Sequence, residues 1–98
     1  MDITVEELKE RLDKGEDLNF LDVREDYEYE EQNLGAKLIP LGELPDRIDE
    51  IKAWKNSEVI VHCRSGARSG RAKSFMESQG FTHVRNVTGG LLAYNELG

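Results

Sequence analysis

Residues 58–63 read Glu58-Val59-Ile60-Val61-His62-Cys63, and no other stretch constrains the fold as strongly. The run is β-branched through its middle, the composition of a pleated, buried strand. A short loop of small residues with Gly66 follows at once. Helical spacing then runs over about 67–79, with Ala72, Phe75 and Met76 turned inward and Gly80 as its stop. A buried strand passing straight into a helix is the building unit of a parallel sheet.

The rest of the chain repeats that alternation. Thr4-Val5-Glu6-Glu7 has the spacing of a capping box, and Val5, Leu8 and Leu12 continue at helical spacing until Gly15, which predicts a helix over about 4–14. The apolar run 18–23 reads as a second buried strand. A short charged helix lies within 24–32, and Leu38-Ile39-Pro40 reads as a brief strand ended by its proline. Leu44, Ile48 and Ile51 share one helical face over 43–53. Residues 83–87 form another short strand, and Thr88-Gly89-Gly90 opens a last helix reaching about 96. The order implies an α/β fold, a mainly parallel sheet with helices on both faces. Such sheets place ligands outside the carboxyl ends of their strands, and Cys63 ends the most apolar one.

Composition narrows the function. Ninety-eight residues suggest one domain, 1–98. A net charge of −7 argues against a nucleic-acid partner, which usually requires a basic footprint. The chain has no apolar run of membrane-spanning length, and Met1-Asp2-Ile3-Thr4 does not begin a signal peptide, so a cytoplasmic location is expected. A single cysteine excludes an internal disulfide and a multi-thiolate zinc site, and with only two histidines no metal or other cofactor is expected.

The chemistry concentrates after the third strand. Arg64, Arg68, Arg71 and Lys73 bring four positive charges to a stretch, 62–76, that contains no acid. A tight loop entering a helix aims backbone N–H groups and the helix's positive end at one point, an anion cradle. A thiol held there has a lowered pKa, which makes Cys63 the candidate nucleophile. His62 is adjacent in sequence, but neighbours on a strand face opposite ways, so it is not expected to act as the base.

These residues carry a resemblance. The chain resembles the single-domain rhodanese family of sulfurtransferases along nearly its whole length. The matching pieces are Leu21-Asp22-Val23-Arg24-Glu25, Gly35-Ala36 with Ile39-Pro40-Leu41, the run from Val61 through Cys63 to Ser69, Gly80-Phe81 and Gly89-Gly90. The stretch Glu31-Gln32-Asn33-Leu34 stands where many members have Gly-His-Ile-Pro, and Tyr94 stands where Trp is frequent. The resemblance implies a five-stranded parallel sheet flanked by helices. It implies that Cys63 takes a sulfur from a small anionic donor such as thiosulfate, or from a persulfide-donor protein, and passes it to cyanide or a thiol. Arg64, Ser65, Gly66, Ala67 and Arg68 would bind the donor, and Ser69 would add a hydrogen bond. Asp22 would brace an arginine of the loop, Arg24 would do the same for the acidic start of the next helix, and the Gly89-Gly90 pair would let the backbone approach the loop.

Three other readings compete. A protein-to-protein sulfur relay would use the same cysteine, and a domain this small is expected to leave Cys63 near its surface. A non-catalytic module commonly lacks the cysteine. Phosphatase and arsenate reductase relatives use a Cys-x5-Arg loop, whereas Cys63 to Arg68 is Cys-x4-Arg, one residue short of a cradle for a tetrahedral anion.

Overall fold

The computed structural model describes residues 1–98. Its elements in order are α1 (Val5–Asp13), β1 (Phe20–Asp22), α2 (Asp26–Glu31), β2 (Lys37–Leu38), α3 (Leu44–Arg47), β3 (Glu58–His62), α4 (Ala67–Ser78), β4 (His83–Asn86) and α5 (Gly90–Asn95). Tight 3-10 turns at Leu41–Glu43 and Ile48–Trp54 flank α3. The strands lie in the order β2-β1-β3-β4, all parallel.

The sheet has four strands rather than the five the resemblance implies. Ile3 makes an isolated parallel bridge to Val87, donating to Asn86 O and accepting from Thr88 N, both at 3.0 Å. It cannot extend into a strand because Thr4 already caps α1, its Oγ1 accepting from Glu7 N at 3.1 Å. The helix expected over 43–53 is also broken. Pro45 stands in the first turn of α3, where a missing N–H is harmless, but it bars a helix from running in from 41. Ile51, at φ −119°, interrupts the later turns. Buried Leu44 and Ile51 hold this irregular segment to the sheet.

Period-two alternation splits the core. Leu21, Val23, Val59, Val61, Cys63 and Val84 face α3 and α4, meeting Leu44, Ile51, Ala72 and Met76. On the other face Phe20, Ile60 and Val87 meet Ile3, Val5 and Leu8, with Ala93 and Tyr94 of α5 packed behind. Helices therefore cover both faces, as the alternation requires. At the amino end of the sheet, Glu58 accepts from Arg11 and Arg85 at 2.7–2.9 Å, tying α1, β3 and β4 together. The carboxyl end carries the polar residues Asp22, His62 and Asn86 at the ends of β1, β3 and β4.

Candidate active site

Cys63 follows the last residue of β3, and the loop 64–66 folds back over it into α4. Gly66 makes the turn possible: it adopts φ +104°, a left-handed conformation that other residues enter only with strain. The turn aims donors at the sulfur. Gly66 N lies 3.2 Å and Ser69 N 3.3 Å from Cys63 Sγ. Ser69 Oγ lies 3.3 Å from Sγ and donates at 2.5 Å to Asn86 Oδ1. Its one proton serves one partner at a time. Either Sγ or Oγ can donate in their contact, so while Oγ donates to Asn86 the thiol is the donor, and toward a thiolate the hydroxyl is the only possible donor. Asn86 also donates from Nδ2 to Gly66 O at 3.1 Å, so a single side chain on β4 holds both the turn and the serine.

Cys63 has no exposed surface of its own, although it lies directly beneath the exposed loop residues Arg64, Ser65 and Ala67. The loop that supplies its hydrogen bonds also closes over it. Burial pushes the thiol up, but the bonds from Ser69, Gly66 and Ser65 outweigh that effect and bring it below the ordinary thiol value. Replacing Asn86 with Asp places a carboxylate against Ser69 Oγ and Gly66 O without changing shape. The midpoint of Cys63 alkylation against pH is expected to rise by about one pH unit. An unmoved midpoint would remove Asn86 from the thiol's electrostatics.

A second helix start completes the surround. The first N–H groups of α5 donate to the loop's own backbone, Leu91 N to Cys63 O at 2.9 Å and Leu92 N to Arg64 O at 3.0 Å. Gly90, at φ +60°, permits this approach: a Cβ there would sit 2.5 Å from Arg64 O and 2.7 Å from Cys63 O. The expected role of the glycine pair in close backbone approach thus falls on Gly90.

The arginines separate. Arg64 is exposed and lines an open cleft of about 290 Å³ between α2 and α5, with Arg24, Glu28, Glu31, Gln32, Leu91, Leu92 and Asn95. Ser65 and Ala67 are exposed on the loop. Arg68 is not free to meet a donor: its two terminal nitrogens hold Glu28 at 2.6 and 2.9 Å. That pairing, working against burial, keeps the Glu28 carboxyl at about 2.

Asp22 and Arg24 brace each other, which corrects the partner expected for Asp22. Asp22, fully buried, accepts from Arg24 N, Nε and Nη2 at 2.8–3.1 Å. With Arg24 only two residues on, its guanidinium fills the carboxylate and leaves nothing for a loop arginine. Arg24 then donates to Glu28 O at 3.3 Å, in the acidic first turn of α2, and to Gln32 O at 2.8 Å at its C-cap, and its charge also favours the ionised Glu28 carboxylate, so the expected link to the start of that helix is present. His62 lies on the opposite face from Cys63, against Phe20 at 5.1 Å between ring centroids. Its Nε2 is 3.4 Å from Asp22 Oδ2, yet neither ring nitrogen is hydrogen-bonded, and burial holds it below its usual pKa.

Sequence reasoning missed Glu28 and Asn86. Asn86 is a polar residue ending β4 at the carboxyl edge of a parallel sheet, a position that marks a site. Glu28 is readable as a capping-box partner, its Oε1 accepting from Glu25 N at 3.0 Å, but its reach to Arg68 is not.

This geometry has known counterparts. The family model described as the rhodanese-like domain matches residues 4–97. The Bacillus subtilis protein named "Putative sulfur carrier protein YrkF" is 43% identical over 91 residues, 92% of this chain but only 48% of that protein, so the chain spans about half of it. A sulfurtransferase of Allochromatium vinosum is 35% identical over 98 residues, covering 99% of this chain and 90% of that protein. The crystal structure of a rhodanese-like domain protein from Staphylococcus aureus is 33% identical, covers 96% of this chain and 91% of that one, and superposes with a TM-score of 0.84. No helix here is long and apolar enough to cross a membrane. The chain belongs to the rhodanese-like domain family.

Proposed function

We propose that the protein moves a sulfane sulfur from thiosulfate or a persulfide donor to a thiophilic acceptor through a persulfide on Cys63. The observation that carries this reading is the convergence of Gly66 N, Ser69 N and Ser69 Oγ on one sulfur atom. These donors favour thiolate, the nucleophilic form. They are equally suited to negative charge on a sulfur bonded to Cys63. Relatives named as sulfurtransferases support sulfur as the cargo.

Cys63 thiolate attacks the outer sulfur of thiosulfate. A sulfur–sulfur bond forms to Cys63, the bond within thiosulfate breaks, and sulfite leaves with the electron pair. Cyanide or a thiolate then attacks the outer persulfide sulfur, and Cys63 recovers its thiolate. The two half-reactions give ping-pong kinetics. Because Sγ is fully buried at rest, the exposed residues Arg64, Ser65 and Ala67 must shift outward to admit a donor.

Intact mass tests this reading. The reduced protein incubated with thiosulfate is expected to gain about 32 Da, one sulfur atom as a persulfide. Cys63→Ser is expected to gain nothing and to lose all transfer to cyanide. A parent protein that gains no sulfur from thiosulfate or from a persulfidated donor protein would overturn the proposal, as would turnover retained in Cys63→Ser.

A further inference from the structure

From sequence, the loop looks like a strongly basic cradle. Its side chains tell otherwise. Arg24 is spent on Asp22, Arg68 on Glu28 and Lys73 on Asp2. Arg64 is the one cleft-lining cation without an ion-pair partner, and the wall it shares also carries Glu28 and Glu31. Glu28 is ionised at any physiological pH, because Arg68 holds its carboxyl at about 2. Its two oxygens occupy the guanidinium fork that would otherwise take an oxyanion in the same bidentate geometry. The donors left at Sγ are N–H and O–H groups of no net charge.

We infer that Glu28 is a specificity-determining residue that biases this site against dianionic sulfur donors and toward donors carrying at most one negative charge near the transferred sulfur. The inference rests on the sulfur-transfer reading and refines its substrate class. The physical basis is that Glu28 cancels the Arg68 charge it holds at 2.6 and 2.9 Å, and the attraction an anion thereby loses scales with the anion's own charge. A dianion in the cleft loses twice what a monoanion loses, and it finds the Arg68 fork already filled. Free thiosulfate is then a poor match. A persulfide on a carrier without clustered acidic groups is a better one.

The test uses two donors with the same leaving chemistry. Thiosulfate is a dianion that releases sulfite. Methanethiosulfonate is a monoanion that releases methanesulfinate, and with each the S–S bond breaks and the electron pair leaves with the sulfur oxyanion. Glu28→Gln removes the charge yet keeps an oxygen for Glu25 N and for one Arg68 bond, since a capping box accepts Gln. If kcat/KM for the monoanion rises about threefold in this variant, the value for the dianion should rise by about the square of that, tenfold. Glu31→Gln removes a cleft charge that makes no ion pair and should move the same ratio in the same direction by less, through KM. A thiosulfate-to-methanethiosulfonate ratio unchanged or lowered in both variants would overturn the inference.

Failure of sulfur transfer itself is separable. Should the parent form no persulfide with either donor, protection of Cys63 from iodoacetamide by sulfate and by methanesulfonate still reads the charge preference without turnover. Sulfate should protect the parent less well than methanesulfonate, and Glu28→Gln should narrow or reverse that order. Equal protection in both proteins would reject the role of Glu28.

Discussion

Replacing Gly90 with alanine is expected to cost about 2–5 kcal/mol of stability, the sum of a left-handed alanine and an overpacked contact. Sulfur transfer should be lost with it. The new Cβ would stand 2.5 Å from Arg64 O and 2.6 Å from Arg64 C, backbone atoms that cannot rotate away as a side-chain tip can. Relief requires either that α5 withdraw, breaking the bonds from Leu91 N and Leu92 N, or that the loop move, taking Cys63 out from under its donors. Both routes end in a displaced thiol. Two other glycines give the comparison. A Cβ on Gly35, also at positive φ, meets nothing within 4 Å, so Gly35→Ala should show only the conformational cost, about 1–2 kcal/mol, with Cys63 reactivity intact. A Cβ on Gly89 strikes Ala93 within α5 at 2.6 Å, a clash that leaves the loop backbone alone. Chemical denaturation combined with alkylation rates separates the three. A Gly90→Ala protein with parent-like alkylation would show that the loop does not depend on this contact.

The second large effect is expected at Asp22. Asp22→Ala leaves the buried Arg24 side chain, 4% exposed, without the one carboxylate hydrogen-bonded to its guanidinium. Breaking a buried pair from one side costs about 3–5 kcal/mol, a large share of the roughly 5–15 kcal/mol that holds a domain of this size folded. At about 4–8 °C per kcal/mol, the melting temperature should fall by at least about 12 °C. Removing both charges, as Asp22→Leu with Arg24→Met, should be milder than Asp22→Ala alone, because no uncompensated ion remains. The recovery will be partial, since Arg24 also serves the Glu28 carbonyl in the first turn of α2 and the Gln32 carbonyl at its C-cap. A double variant as unstable as the sum of its single changes would show that the charges are not energetically coupled.

The chemistry of Cys63 is legible in sequence because it is local. Gly66 and Ser69, which supply the donors to its sulfur, lie three and six residues away. β1 and β3 are legible for a similar reason, as short apolar runs between polar or turn residues, whereas β2 and β4 carry only one apolar residue each. What stays hidden depends on distant partners. Glu28 reaches Arg68 across 40 residues and Asn86 reaches Ser69 across 17. Among 20 acidic residues, charge alone cannot say which one takes which arginine. Arg68 therefore reads as a free cation in sequence and is a bound one in the fold. The 43–53 segment misleads differently: Leu44, Ile48 and Ile51 keep helical spacing, but Pro45 and the turn at Ile51 break the backbone that spacing assumes.

Asn86 and Gly90 also set the order in which the site is assembled. During synthesis the loop around Cys63 leaves the ribosome before either residue, and domains fold as units once their parts are available. Until β4 and the start of α5 join the sheet, Gly66 O lacks its bond from Asn86 Nδ2, and the carbonyls of Cys63 and Arg64 lack theirs from Leu91 and Leu92. The loop is then without the bonds that fix its turn over Cys63. The loop around Cys63 therefore gains its full set of backbone supports only when β4 and the start of α5 dock.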